Sequence, residues 1–272
     1  MISDQRQRTG LSGQVLACFK IGHLHVDALD AATAARELDA LMDDKSQPHI
    51  VVTPNIVQIE QARRYPILAE VNQLASLRTP DGWPVAAAAR SFAPGLVRSS
   101  RVTGADLVAG LVESGRRIAL VGGVADSAAI VAAKYSKGNS NESTFLSEPA
   151  PAAELQSPGA RSKILSRICE FEPEAVILGI GVPKQEQVAI ELHRMLSTGV
   201  IICAGASIEF LAGTQKRAPK MLQRLGLEWL HRIVMRPGTM VSRYLKAGPY
   251  FVAQMALSTL RHTRARFTRS AQ

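Results

Sequence analysis

A chain of 272 residues, 46% hydrophobic and 20% charged, can bury one large α/β core, or one core plus an appendage, and has an ordinary globular composition. Its net charge of +9 is unevenly placed: from residue 213 onward twelve Lys and Arg face Glu228 alone, whereas residues 1–212 are slightly acidic. Such asymmetry points to an anionic partner: phosphate, nucleic acid or an acidic lipid surface.

The opening residues, MISDQRQRTGLSG, lack the positive-then-apolar pattern of an export signal. Short β-branched runs at 14–19, 49–53, 117–121, 175–178 and 200–203 predict strands. Amphipathic stretches at 30–42, 56–73, 105–113, 126–134, 162–170 and 184–195 predict the helices that alternate with them. This spacing reads as βαβ units, hence an α/β fold with a mostly parallel sheet and helices on both faces. The stretch 136–161 is rich in Ser, Pro, Gly and Ala and predicts a surface loop. Past residue 213 the pattern becomes helical and basic, which divides the chain into a core at 1–212 and an appendage at 213–272. Apolar runs fall short of the roughly 20 residues a spanning helix needs. The sequence therefore predicts a cytoplasmic protein whose membrane contact is peripheral.

Several predicted strands end in small or turn residues, the place where open α/β sheets bind ligands. TPDGWP (79–84) reads first as a turn. Its functional reading is a carboxylate, Asp81, at a pocket rim beside Gly82, able to take a proton from an attacking hydroxyl. LVGG, with Gly122 and Gly123, and LGIGVPKQE, with Gly181, Lys184 and Gln185, each join an apolar strand to a helix through glycine. Backbone N–H groups at such junctions cradle phosphates, and Lys184 and Gln185 suit a diphosphate; tight packing alone also explains the glycines. Neither stretch completes the dinucleotide fingerprint or a phosphate loop. The three cysteines, Cys18, Cys169 and Cys203, read as buried reduced thiols, and His23 with His25 has no third ligand nearby. No metal and no cofactor is predicted. In the tail, KRAPK (216–220) is followed by aromatic and aliphatic residues among Lys and Arg, a composition suited to a lipid interface.

Taken in order, VVTPNIVQIEQAR (51–63), TPDGWPV (79–85), RVTGADL (101–107), LVGG, EAVILGIGVPKQE (174–186), ASIEFLAGTQKRAPK (206–220) and GLEWLHRI (226–233) resemble the WecG/TagA/CpsF glycosyltransferases, glycosyltransferase family 26. The resemblance implies a Rossmann-like core and an inverting, metal-independent transferase. Its donor would be a UDP-sugar, and its acceptor a saccharide on undecaprenyl diphosphate, in exopolysaccharide or other cell-surface polysaccharide synthesis. It assigns Asp81 as general base, Thr53 and Asn55 to the pocket beside it, and Gln185 and Lys184 to the site wall. Arg101 would contact donor or acceptor oxygens. Arg217, Arg232 and Arg243 would neutralise the departing diphosphate, with Arg236 as a further candidate, while the appendage meets the inner face of the membrane. Relatives can self-associate, and the sequence leaves a homo-oligomer open.

Three departures limit the transfer of roles. Residues 136–161 lack a tyrosine common in the family, Gly238 and Thr239 follow Pro237 where arginines are usual, and Ile208-Glu209 replaces an aromatic-Asp pair. The alternative reading is a non-catalytic nucleotide-binding protein whose basic tail docks on nucleic acid; the preferred reading has no nucleic-acid partner.

Overall fold

A computed structural model describes residues 6–92, 101–124, 126–136, 144–235 and 237–269; within these the side chain of Arg232 lies outside the described residues, as does all of Arg236. The chain opens with β1 (Arg6–Thr9), β2 (Val15–Ile21) and β3 (Leu24–Ala28), a separate antiparallel sheet. The predicted strand at 14–19 belongs here and not to the parallel sheet. The two-residue turn between Ile21 and Leu24 pairs β2 directly with β3, leaving no room for a parallel crossover.

Helix α1 (Ala31–Asp43), capped by Asp30 accepting from the Thr33 N–H, leads into β4 (Pro48–Val52). The single helix predicted over 56–73 is two, α2 (Ile56–Gln61) and α3 (Ile67–Leu74). Pro66 explains the break, since it disfavours helical geometry at Tyr65 and has no N–H to give. There follow β5 (Leu77–Arg78), α4 (Trp83–Phe92), α5 (Gly104–Leu111), β6 (Ile118–Gly122) and α6 (Ser127–Tyr135). Of the loop predicted at 136–161, residues 137–143 lie outside the described residues, and the rest holds β7 (Phe145–Glu148), α7 (Ala152–Gln156) and the start of α8 (Pro158–Glu170). Pairing of Phe145 to Glu148 along β6 overrides the polar composition there. Pro158 opens α8, where its fixed φ suits a first turn. Next come β8 (Ala175–Gly179), α9 (Lys184–Met195), β9 (Gly199–Cys203) and α10 (Ser207–Ala212). Then come α11 (Lys220–Arg224), α12 (Glu228–Met235) and α13 (Pro237–Arg269).

The main sheet runs β5-β4-β9-β8-β6-β7, and every neighbouring pair is parallel. Its central strands are fully buried apolar runs, as a sheet covered on both faces requires. Alternation sends Ile118, Leu120, Ile177 and Ile202 to the face covered by α1, α5, α6 and α10. Ala119, Val121, Val176 and Ile201 face α3, α8 and α9. The connection from β6 leads outward to β7, while that from β8 leads back to β9, so the chain reverses direction between β6 and β8. That reversal opens a crevice at the carboxyl ends of these strands.

A third cluster joins the antiparallel sheet, α2, α4 and the C-terminal helix: Phe19, Val26, Ile59 and Val85 pack with Phe251. Ala247 is also fully buried, and the Arg63 guanidinium lies 4.8 Å over the Tyr250 ring. Part of α13 is thus core.

Candidate functional site

Polar residues gather where the parallel strands end. After β5, the Thr79 N–H donates to the Val52 carbonyl (2.9 Å) and the Asp81 N–H to that of Pro54 (3.1 Å). The turn carrying Asp81 is thereby stitched to the end of β4. It is fixed from the other side as well: the Val102 N–H donates to Pro80, and the fully buried Thr79 hydroxyl donates to the Val102 carbonyl (3.1 Å). Asp81 is half-buried. Buried Thr53 donates its hydroxyl to the Cys203 carbonyl of β9 at 3.4 Å. Asn55 caps α2, its side-chain oxygen accepting from the Val57 and Gln58 N–H groups, and this occupies that oxygen. Thr53, Asn55, Asp81 and Arg101 therefore share the rim made by β4, β5 and the loop before α5.

The glycines line the neighbouring strand ends. Gly122 has φ +90°, and a Cβ there would lie 2.2 Å from Cγ2 of Ile180. Only glycine lets the turns after β6 and β8 meet so closely. Gly181 has φ +75° but faces open space, leaving that stretch of backbone accessible. Lys184, half-buried, starts α9 beside it.

Gln185 and Glu186 point inward. Both are almost fully buried, and the Gln185 amide donates to Glu186 Oε1 at 2.8 Å. Gln185 Oε1 and Glu186 Oε2 have no hydrogen-bond partner. Burial pushes the Glu186 carboxyl up to about 7. It lines a small cavity with Pro54, Gln58 and Asn72, directly under the start of α2.

The arginines are held by acids. Arg101 donates from Nη1 to Glu228 Oε2 at 2.7 Å. Arg217 Nη2 lies 2.8 Å from Asp106 Oδ1 and donates to Thr103 Oγ1 at 3.1 Å, and its Nε is 3.9 Å from Glu228 Oε1. Thr103 and Asp106 form the capping box of α5. Burial works to raise the Asp106 carboxyl, but the Thr103 hydroxyl and Arg217 outweigh it and hold it below its usual range. Arg243 is exposed on α13, next to Tyr244, whose ring meets Trp229 edge-on at 6.1 Å. Among the described residues no three His, Cys, Asp or Glu side chains are grouped to hold a metal ion. Cys18 and Cys203 are buried free thiols, whereas Cys169 is only half-buried.

Residues 19–265 match the model of the glycosyl transferase WecG/TagA/CpsF family. The chain belongs to that family. Two Staphylococcus aureus proteins, from strains MW2 and NCTC 8325 / PS 47, are 33% and 32% identical to it over 93 residues. Both are named N-acetylglucosaminyldiphosphoundecaprenol N-acetyl-beta-D-mannosaminyltransferase. The alignment spans 34% of this chain and 36% of either relative.

In this WecG/TagA/CpsF member, sequence reasoning passed over Thr103, Asp106, Glu186 and Glu228. The Thr-x-x-Asp spacing of a capping box was the legible signal for the first two, and a single acid in a basic segment was the signal for Glu228. Nothing in the sequence marked Glu186 as buried. Trp83, in the TPDGWP stretch, backs the turn before α12: a Cβ on Gly226 would fall 2.6 Å from its Cδ1.

Proposed function

We propose that the protein is an inverting, metal-independent glycosyltransferase that moves a sugar from a UDP-sugar to a saccharide carried on undecaprenyl diphosphate. The placement of Asp81 carries this reading: a half-buried carboxylate on a doubly tied turn, at the strand ends where α/β sheets take ligands. In the reaction, the acceptor hydroxyl oxygen attacks the donor's anomeric carbon while Asp81 takes its proton. The bond from that carbon to the diphosphate breaks, and UDP departs with the electron pair, inverting the centre. The charge developing on the diphosphate falls to cations and backbone N–H groups. Arg101, Arg217, Lys184 and the turn at Gly181 supply them.

Family membership and the names of the relatives support the class of acceptor. The surface of α11 to α13 supports a peripheral site on the inner face of the membrane. Trp229, Leu230, Val234 and Met235 are exposed there alongside exposed Lys220, Arg243 and Lys246, a mixture that suits an acidic leaflet. Among the described residues no helix is long and apolar enough to cross a membrane. On this reading residues 213–272 are the appendage of a core at 1–212, anchored to that core at Ala247 and Phe251 and facing the membrane with α11, α12 and the exposed side of α13. The deciding experiment is transfer from a UDP-sugar panel to a short-chain lipid-diphosphate saccharide, for the natural chain and Asp81→Asn. Loss of transfer with UDP binding retained is the expected result. Full turnover by the variant would remove Asp81 from the mechanism.

A further inference from the structure

Two of the arginines proposed for the diphosphate converge on one carboxylate of the chain itself. Glu228 contributes Oε2 to Arg101 and Oε1 to the Nε side of Arg217. Its side chain is only 10% exposed, so this is not a solvated surface pair. The contact to Arg217 is incomplete: at 3.9 Å it is an ion pair and no hydrogen bond, and that Nε is buried without a hydrogen-bond partner. A buried guanidinium N–H left unmatched calls for a partner, and a second anion is one that supplies it. A diphosphate, with more oxygens and more charge than a carboxylate, satisfies both guanidinium forks together.

We propose that Glu228 is an internal anionic ligand that occupies the Arg101–Arg217 site until a diphosphate displaces it. The proposal rests on the glycosyl-transfer reading for its biological sense, but the competition itself concerns only this anion site. Asp106 and Thr103 keep Arg217 in place throughout, since their contacts are to Nη2 and not to Nε. Glu228 opens α12, immediately after the Gly226 turn that rests on Trp83. Its withdrawal therefore moves the first turn of that helix, and with it exposed Trp229 and Leu230. A carboxylate left beside a bound diphosphate would repel it, so occupancy by one excludes the other. Apparent affinity for the diphosphate is then reduced by the fraction of molecules in which Glu228 holds the arginines.

The test is calorimetric titration of the full chain with inorganic pyrophosphate, which reports on the shared diphosphate chemistry without a nucleotide or lipid. Glu228→Gln is expected to bind pyrophosphate about fivefold or more tightly than the natural chain, because the competitor has lost its charge. Unchanged or weaker binding overturns the proposal and makes Glu228 a structural bridge. If the Gln variant melts below the assay temperature, Glu228→Asp carries the test, since the shorter side chain reaches the arginines less well. Tighter binding by Glu228→Asp supports competition, and equal or weaker binding overturns it. Parallel titrations with UDP and farnesyl diphosphate identify the source: the ligand whose affinity rises in step with pyrophosphate is the one that displaces Glu228. Failure of UDP to bind any form, with pyrophosphate still tightened, would instead count against the UDP-sugar donor and leave the competition standing.

Discussion

The Asp81 N–H donates to the Pro54 carbonyl at 3.1 Å, joining the turn after β5 to the turn after β4. One hydrogen bond thus sets the spacing between the proposed base and the Thr53–Asn55 rim. The same turn is held by the Thr79 hydroxyl, buried and bonded to the Val102 carbonyl.

Thr79→Val tests that mounting. The substitution keeps the shape and removes the hydroxyl, so stability should fall by about 1 kcal/mol. Transfer should fall by more than that loss implies, because a base displaced by a fraction of an ångström is mis-aimed. Steady-state kinetics beside urea unfolding makes the comparison; equal losses in both would show that the turn does not position Asp81.

Gly122 and Gly181 separate packing from access. Both have positive φ, so alanine at either strains the backbone by about 1–2 kcal/mol. At Gly122 the added methyl also collides with Ile180, so Gly122→Ala should be the more destabilising by a further 1 kcal/mol or so, approximately an overpacking effect. Gly181→Ala should fold and instead weaken UDP binding. Thermal melts with nucleotide titration distinguish them.

Glu186 should impose a pH dependence on stability. Its folded value of about 7 lies above the ordinary 4.5, so the native state holds a proton that the unfolded chain releases. The neutral carboxyl's contribution is therefore complete below about pH 4.5 and is lost as pH rises through about 7. Glu186→Gln keeps the oxygen that Gln185 bonds but cannot ionise. It should match the natural chain at pH 4.5 and exceed it by roughly 2–3 kcal/mol at pH 8. Urea midpoints at the two values check this, and parallel pH profiles for both proteins would contradict it.

Asp27 should be the residue on which the antiparallel sheet most depends. It is fully buried in β3 and accepts from Arg8 of β1 (2.7 and 3.2 Å) and from the Arg78 backbone of β5 (2.9 Å). Asp27→Ala leaves two arginines without their shared acceptor and should destabilise by about 3–5 kcal/mol. Hydrogen exchange should speed up first at β1, where Arg8 loses its only strand-to-strand carboxylate contact among the described residues.

The alternation of apolar strands with amphipathic helices determined the parallel sheet, because burial on both faces leaves a local and readable pattern. Four of its six strands, β4, β6, β8 and β9, and the positions of α1, α5, α6, α8 and α9 needed no tertiary information. The glycine turns and the TPDGWP stretch were legible for the same reason, since backbone geometry restricts the residue at each position. What the sequence left open were matters of partner choice between distant segments. The strand at 15–21 pairs with its own neighbours, and Phe145 to Glu148 becomes a strand by lying along β6, against its composition. Arg101 and Arg217 read as cations awaiting phosphate, yet Glu228, over a hundred residues from Arg101, meets the first at 2.7 Å. Gln185 reads as a residue of the site wall, and the packing of α9 against the sheet buries both it and Glu186. A charge in a sequence carries its sign but not its counter-ion or its solvation, and here the tertiary structure supplied both.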